Sequence, residues 1–199
     1  MSQYTPIKLY YWPLKARSYA SQIVAAAGNV PLDLVTDHNI GDATFKATLP
    51  FGQLPYLEHG DIKMSQSNAI LRYIGRLAGT EGTTDRFCFS EMLIEEAADL
   101  YSALAKANYN SDKSSSYKAL FAEEFPKHLA NIEKLAPSFT KDAKKLTGEY
   151  AIVCILDMAI NLESALLDKY PLTKEFVKST YAQSEFDSCR NHPMYFKLE

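Results

Sequence analysis

The chain is poor in the residues that define several large classes of protein. Its 199 residues include only three cysteines and four histidines, which lie far apart in the sequence. Since no two of them have the spacing of metal ligands, we expect no metal site, and the scattered thiols suit a reducing compartment. No apolar run approaches the roughly 18–20 residues needed to cross a bilayer. These absences disfavour a membrane protein and a disulfide-rich secreted protein.

Strong charge of one sign is also missing. The net charge is −3, and residues 1–80 carry seven Lys and Arg against five Asp and Glu. A mildly positive first part suits a small anionic ligand, but it is far too weak for nucleic acid. The first six residues have neither the basic start nor the apolar core of a secretion signal. We therefore expect a cytoplasmic protein that binds neither membrane nor nucleic acid.

What is present begins with an alternation of strand and helix patterns. Strand-like segments cover residues 7–12, 31–35, 54–58 and 62–64, and helix-like segments cover residues 18–27 and 67–79. Gly60 lies in the tight turn between the last two strands, which predicts a hairpin. The order β-α-β and then β-β-α predicts a small α/β unit with a mixed sheet.

A second pattern follows residues 80–85, which have the composition of a linker. All later segments are helical in pattern: they cover residues 85–109, 117–135 and 150–167, and one more starts at Pro171. The segment 150–167 is apolar on almost every side, which is typical of the buried central helix of a bundle. We predict an α/β domain over residues 1–80 and an all-α helical bundle over residues 85–199.

The bond between Leu54 and Pro55 precedes a strand, where a proline cannot donate a hydrogen bond to the sheet. Such a bond is either an ordinary trans turn or a cis bond. If it is cis, the N–H and C=O of Leu54 are free to pair with an extended peptide.

Two further groups in the first domain could hold a ligand. The helix start at Gln66, Ser67 and Asn68 offers free N–H groups and the positive end of the helix dipole, which suit a carboxylate. Simple N-capping by Ser67 is the alternative. Tyr11 ends the first strand, where its phenol could donate a hydrogen bond to a ligand thiolate. Aromatic residues are common in strands, however, and the chain has 13 tyrosines.

Two motifs resemble the cytosolic glutathione S-transferase superfamily of the tyrosine type. Residues 50–58 read Pro-Phe-Gly-Gln-Leu-Pro-Tyr-Leu-Glu, and residues 64–74 read Met-Ser-Gln-Ser-Asn-Ala-Ile-Leu-Arg-Tyr-Ile. Residues 8–12, with Arg17 six residues after Tyr11, are most similar to the sigma class and its mu and pi relatives. The likeness is specific over residues 7–79 and only architectural beyond them. It implies a thioredoxin-like domain followed by a helical bundle, in a homodimer.

The resemblance also implies an activity, the transfer of glutathione to a hydrophobic electrophile in detoxification. Tyr11 is the implied catalytic residue that hydrogen-bonds the glutathione sulfur and holds it as a thiolate, and Arg17 supports that site electrostatically. The second-substrate pocket is expected to be bordered by Trp12, Leu14, Tyr101 and Tyr109. Phe51 either inserts into the partner subunit or belongs to the core.

The glutathione contacts that the resemblance implies are Lys46, Gln53, Leu54, Pro55, Gln66, Ser67 and, reaching the partner subunit's site, Asp99. Gln66 and Ser67 would hold the γ-glutamyl carboxylate, and Lys46 the glycyl carboxylate. Leu54, before a cis Pro55, would pair its backbone with the cysteinyl unit. Asp99 would reach the γ-glutamyl amine across the dimer, unless it is an ordinary solvated aspartate. Glutathione is a co-substrate here, and no metal is implied.

Three positions depart from the family pattern. Asp42 takes the place of a tryptophan that contacts glutathione, so its charge weakens anion binding or Phe45 fills the space. The usual Ser/Thr-x-x-Asp capping box of the central helix is missing or degraded around Glu149. The Gly-rich turn that usually follows the catalytic tyrosine is replaced by residues 13–16, Pro-Leu-Lys-Ala.

Other functions on the same fold stay open, because a fold does not fix a function. One is a non-catalytic protein of the crystallin-like, scaffolding or ligand-carrying kind. Another is a glutathione-dependent isomerase of the prostaglandin type, which would use the same thiolate. The presence of Tyr11, Arg17, Gln66 and Ser67 favours catalysis over the non-catalytic alternative.

Overall fold

A computed structural model describes residues 6–141 and 143–198 of the chain. Its sheet has four strands in the order β2-β1-β3-β4. They are β1 (Ile7–Tyr10), β2 (Leu32–Val35), β3 (Tyr56–His59) and β4 (Ile62–Ser65). β1 pairs parallel with β2 and antiparallel with β3, and β3 pairs antiparallel with β4. The predicted mixed sheet and its hairpin are confirmed.

Three helices accompany the sheet: α1 (Tyr19–Ala27), α2 (Ala43–Thr48) and α3 (Ser67–Ala78). α1 and α3 pack closely, because a Cβ added at Gly28 would lie 2.3 Å from the Cβ of Ala78. The apolar residues of β1, α1 and α3 enter one continuous core, with Ile7, Leu9, Ile23, Ile70 and Ile74 fully buried. The predicted thioredoxin-like βαβ-ββα arrangement is confirmed.

The remainder of the described chain is helical. The elements are α4 (Asp85–Asn108), α5 (Lys113–Ala119), a π-helical turn (Leu120–Glu124), α6 (Phe125–Leu135), a 3₁₀ turn (Ala136–Ser138), α7 (Thr147–Ile160), α8 (Pro171–Tyr181), a 3₁₀ turn (Ser184–Phe186) and α9 (Asp187–Arg190). α7 is the buried centre and packs on α4. At their contact Gly148 is required, since a Cβ there would lie 2.1 Å from the Ser90 carbonyl oxygen. The predicted helical bundle is confirmed.

The N-terminus of α7 is capped through the buried carboxylate of Glu149. Its Oε2 accepts a hydrogen bond from the Leu146 N–H at 2.8 Å, and its Oε1 accepts one from the Thr140 N–H at 2.5 Å. Arg86 Nη2 lies 3.3 Å from the same Oε1. One half of a capping box is therefore made by a glutamate three residues into the helix. Glu149 thus makes the capping interaction for which the family pattern uses an aspartate.

Several predicted boundaries differ from the structure. α7 was expected over residues 150–167, but it ends at Ile160, while Leu162, Leu166 and Leu167 remain buried in the turns that follow. The continuous apolar pattern therefore indicated that residues 150–167 are buried, but it did not indicate where the helix ends. β3 begins at Tyr56 and not at residue 54, because Pro55 has no N–H for the sheet.

The position of the predicted linker agrees with a change of architecture. α3 ends at Ala78 and α4 begins at Asp85, and Gly79 adopts the left-handed conformation (φ 63°) that ends α3. The domain boundaries 1–80 and 85–199 themselves stay a prediction, and residues 1–5 and 199 lie outside the described residues.

Candidate active site

Tyr11 lies directly after β1, where its N–H donates to the Val35 carbonyl oxygen at 3.3 Å and continues the pairing with β2. The side chain is buried, with 6 % of its surface exposed, yet it lines a cavity of about 470 Å³. Burial raises the pKa of Tyr11, and the backbone and charge of Arg17 oppose this only in part. The phenol therefore stays protonated at neutral pH, and a protonated phenol can donate a hydrogen bond.

Arg17 lies on the wall between two cavities. Its guanidinium lies over the ring of Tyr101, 4.5 Å from the centroid, in a cation–π contact. This contact joins the loop after β1 to α4. The positive charge is thereby held beside Tyr11, as the resemblance implied for an electrostatic role.

A second cavity, of about 480 Å³, contains five of the residues expected to contact glutathione. These are Gln53, Leu54, Pro55, Gln66 and Ser67. The Leu54–Pro55 bond is cis, so the alternative of an ordinary trans turn is wrong. The two cavities share Trp12, Arg17 and Leu54 and therefore form one continuous site.

The start of α3 faces this second cavity. Gln66 occupies the position before the helix with φ 76°, and Ser67 is the first helical residue. Ser67 is thus not the N-cap residue, and no side chain caps α3 within the part of the chain that the structure describes. Gln66, Ser67 and the positive helix end are consequently presented to the cavity.

Two predicted glutathione contacts lie outside both cavities. Lys46 lies on α2 and reaches across Gly52, where an added Cβ would be 3.4 Å from the Lys46 Cε. Asp99 is exposed on α4. Lys46 thus lies against Gly52, which lines the 480 Å³ cavity next to Gln53, whereas Asp99 is not brought together with the other five in the part of the chain that the structure describes.

Asp42 has a local role in the structure. It is the N-cap of α2, and its carboxylate accepts a hydrogen bond from the Thr44 N–H at 2.8 Å. Phe45 does not line either cavity described above. Its ring stacks on the ring of His38, and the centroid of the His38 ring lies 5.2 Å from that of Trp12. Phe45 is thus linked to Trp12 through His38, and the expectation that it fills the tryptophan's space stays a prediction.

All four residues expected in the second-substrate pocket line the 470 Å³ cavity with Tyr11: Trp12, Leu14, Tyr101 and Tyr109. Ala105 and Tyr195 also line it and were missed by sequence reasoning. The hydroxyl of Tyr195 is hydrogen-bonded to that of Tyr109. No local pattern marks Tyr195, because it reaches the cavity from the far end of the chain.

Ser65 is a second residue that was missed. It ends β4 with 8 % of its surface exposed and lines the cavity that contains Gln66 and Ser67. Its hydroxyl is buried and has no hydrogen-bond partner in the described structure. The sequence signal that could have identified Ser65 is its position as a polar residue directly before Gln66 and Ser67.

Phe51 lies at the rim of the same cavity with 64 % of its side chain exposed. The alternative of a core role is therefore wrong for this chain. Within residues 6–141 and 143–198, no group of three or more His, Cys, Asp or Glu side chains is placed to hold a metal ion. In the same residues, no helix combines the length and the apolar character needed to span a membrane.

Comparison with known proteins identifies the family. A family model described as "Glutathione S-transferase, N-terminal domain" matches residues 5–76. Glutathione S-transferase Mu 3 of Macaca fuscata fuscata is 32 % identical over 160 residues, which are 79 % of this chain and 71 % of that protein. The chain belongs to the glutathione S-transferase family. The predicted family and class of enzyme are thereby confirmed.

Other similar proteins match over greater lengths. Glutathione S-transferase P of Homo sapiens is 26 % identical over 200 residues, covering 97 % of this chain and 95 % of its own. A solved structure of prostaglandin synthase D of Nilaparvata lugens has a TM-score of 0.78 at 22 % identity, covering 96 % of this chain and 100 % of its own. The second likeness supports the fold alone. Similarity to the sigma class stays a prediction for this glutathione S-transferase.

Proposed function

We propose that the protein activates the thiol of glutathione as a thiolate that attacks an electrophilic small molecule. The observation that carries this proposal is the position of Tyr11, a buried phenol that lines the 470 Å³ cavity beside three residues shared with the neighbouring cavity. Glutathione would occupy the neighbouring cavity with its sulfur towards Tyr11. The electrophile would then approach from the 470 Å³ cavity, whose lining is largely aromatic.

The other parts of glutathione are assigned to residues of the 480 Å³ cavity and its rim. The γ-glutamyl carboxylate would lie at Gln66 and Ser67, where the helix start of α3 favours an anion. The backbone of Leu54, before the cis bond to Pro55, would pair with the cysteinyl unit, and Gln53 would contact the same molecule. Lys46 would have to bend over Gly52 to hold the glycyl carboxylate.

The free energy required is modest. A free thiol with a pKa near 8.5 is only about 3 % ionised at pH 7. Lowering that pKa by about two units makes roughly three quarters of it thiolate and requires about 2.7 kcal/mol. A hydrogen bond to a charged acceptor contributes about 1.5–3 kcal/mol, so the Tyr11 hydroxyl supplies most of the effect. Arg17 adds a favourable positive charge.

We also propose that the protein acts in the cytoplasm as a homodimer, in which Asp99 reaches the γ-glutamyl amine in the partner's site. The exposed Phe51 supports a dimer, because 64 % of a large apolar side chain is otherwise left in water. The family membership supports the same assembly and a role in detoxification.

A second candidate is isomerisation by the same thiolate. Prostaglandin synthase D of Nilaparvata lugens, whose fold is similar, is the reason for naming this candidate. A non-catalytic role has less support, because Tyr11 and Arg17 line one cavity and Gln66 and Ser67 line the adjoining one.

The first test is a titration of glutathione into the wild type, Tyr11→Phe and Tyr10→Phe from pH 5 to 9, followed by thiolate absorbance in the ultraviolet. Tyr10→Phe is the matched control, because the Tyr10 hydroxyl donates to Glu58 at 2.9 Å and does not line the site. We expect a sulfur pKa near 6.5 for the wild type and Tyr10→Phe, about two units below the free value. Tyr11→Phe should bind glutathione similarly and return the pKa towards 8.5.

Absence of glutathione binding by the wild type at millimolar concentration would exclude the catalytic proposal. Binding with an unshifted sulfur pKa in the wild type would exclude Tyr11 as the activating residue. If the thiolate forms as expected, product analysis with an electrophile and with an endoperoxide separates transfer from isomerisation.

A further inference from the structure

Lys15 is a buried charge inside the loop that carries Tyr11 and Arg17. Only 3 % of it is exposed, and its Nζ donates to Asp157 Oδ2 and to the Tyr181 hydroxyl, both at 3.0 Å. Burial lowers the pKa of Lys15, but Tyr181 and Asp157 together raise it above its ordinary value. The amine therefore stays charged, and the loop after β1 is fixed to α7 by an ion pair within the core.

The backbone of the same residue binds the last described segment of the chain. The Lys15 N–H donates to the Pro193 carbonyl oxygen at 2.8 Å, and the Tyr195 N–H donates to the Lys15 carbonyl oxygen at 3.2 Å. Lys15 and Met194 thereby form a parallel bridge. We call residues 193–196 the C-terminal wall segment.

This segment completes one side of the cavity that holds Tyr11. Tyr195 lines the cavity, and its hydroxyl is hydrogen-bonded to that of Tyr109 on α4. Phe196 is fully buried, with its ring 5.1 Å from that of Tyr101. The two backbone hydrogen bonds to Lys15, the hydroxyl of Tyr109 and the buried ring of Phe196 together hold Tyr195 in this position.

We propose that Lys15 is a positioning residue and that Tyr195 determines specificity for the electrophile. The ion pair with Asp157 holds the loop in the conformation that binds the C-terminal wall segment, and this segment presents Tyr195 to the second substrate. The inference rests on the proposed function of the site. It assigns the Lys15–Asp157 pair to the electrophile side of that site, while the expected glutathione contacts that line the 480 Å³ cavity are residues 53–55, Gln66 and Ser67.

The test removes the ion pair without leaving an unpaired charge in the core. Lys15→Met combined with Asp157→Asn removes both charges, because a single substitution would strand its partner and could prevent folding. Tyr195→Ala removes only the wall side chain. Lys174→Met is the matched control, since Lys174 forms an exposed ion pair with Asp168 far from the site.

The kinetic probe is 1-chloro-2,4-dinitrobenzene, on which the glutathione sulfur forms a C–S bond while chloride leaves with the bonding electrons of the C–Cl bond. We expect KM for this electrophile to rise about tenfold in the double variant and in Tyr195→Ala, because the loss of one apolar contact in a hydrophobic pocket weakens binding by about tenfold or more. KM for glutathione and the bound-thiol pKa should stay at the wild-type values. In a triple variant that combines Lys15→Met, Asp157→Asn and Tyr195→Ala, the loss should stay near tenfold, because both changes act through one segment.

A second measurement does not depend on activity. Trp12 is the only tryptophan of the chain and lines the same cavity as Tyr195. Acrylamide should quench its fluorescence more strongly in the double variant and in Tyr195→Ala than in the wild type or Lys174→Met. If the wild type fails to bind glutathione, the proposed function is wrong. The quenching difference still tests whether the Lys15–Asp157 ion pair positions the C-terminal wall segment beside Trp12.

The proposal is overturned if the double variant unfolds at a lower temperature yet keeps the wild-type KM values and Trp12 quenching. In that case the ion pair stabilises the fold without positioning the wall. It is also overturned if the losses in the triple variant multiply to about a hundredfold, which would mean that Lys15 and Tyr195 act independently.

Discussion

Replacement of Glu149 by alanine should destabilise the protein more than most single substitutions. The carboxylate is fully buried at the start of α7 and accepts hydrogen bonds from the N–H groups of Leu146 and Thr140, and it lies beside Arg86. Each of the two N–H groups left without an acceptor costs about 1–3 kcal/mol, while Arg86 keeps its hydrogen bonds to the Ser138 carbonyl oxygen and the Thr140 hydroxyl. We therefore expect a loss of about 3–5 kcal/mol in the free energy of unfolding. For a chain of this length the melting temperature should fall by roughly 6–20 °C.

Urea unfolding followed by circular dichroism measures this loss, at one protein concentration because assembly affects apparent stability. Glu149→Gln keeps the volume and one acceptor, so about half of the loss is expected. Glu175→Ala, on an exposed face of α8, should change stability by no more than about 0.5 kcal/mol. A loss below about 1 kcal/mol in Glu149→Ala would refute the role given to this carboxylate in capping α7.

Three other substitutions test separate contacts. Gly148→Ala would place a Cβ 2.1 Å from the Ser90 oxygen, so urea unfolding should show a loss of at least about 2–3 kcal/mol, and wild-type stability would contradict this contact. Burial raises the pKa of Glu133, but hydrogen bonds led by the one from Thr173 bring that pKa below its usual value. The ionised carboxylate therefore stabilises the folded protein above the unfolded-state pKa, which is about 4.3, and this stabilisation is lost as the pH falls through the folded-state pKa. At pH 7 the free energy of unfolding of Glu133→Gln should thus be about 1 kcal/mol lower than that of the wild type, and this difference should shrink as the pH falls below about 4.3; a difference that does not change as the pH is lowered would contradict the role of the carboxylate. Asp42→Ala should weaken glutathione binding in calorimetry by about two- to fivefold through loss of the α2 cap, whereas tighter binding would mean that its charge repels the ligand.

The sequence predicted those parts of the site whose residues are close together along the chain. Gln53 to Pro55 and Gln66 to Ser67 lie within two short motifs, and the fold brings both to one cavity. The strand and helix order of the first domain followed from period and turn residues, which are local signals. Tyr101 and Tyr109 were expected at the second-substrate pocket from the family resemblance, and both line the cavity.

The parts that were not predicted depend on contacts between distant residues. Lys15 and Asp157 are 142 positions apart, and Tyr195 reaches the site through a bridge to the same loop. The replacement of a glycine-rich turn by Pro-Leu-Lys-Ala was visible, but its partner on α7 was not. In the same way, Asp42 and Glu149 were recognised as departures, while their capping roles required the helix starts to be known within one residue.

The sharing of Trp12, Arg17 and Leu54 by the two cavities divides the site into positions with different evolutionary freedom. If glutathione and the electrophile occupy the two cavities as proposed, a change at a shared residue would alter the fit of both substrates at once, so selection for a new electrophile would be opposed there by loss of glutathione. Leu14, Ala105, Tyr109 and Tyr195 line only the 470 Å³ cavity and would carry no such double constraint. Substitutions at these four positions would then change the range of electrophiles while the glutathione contacts stay the same.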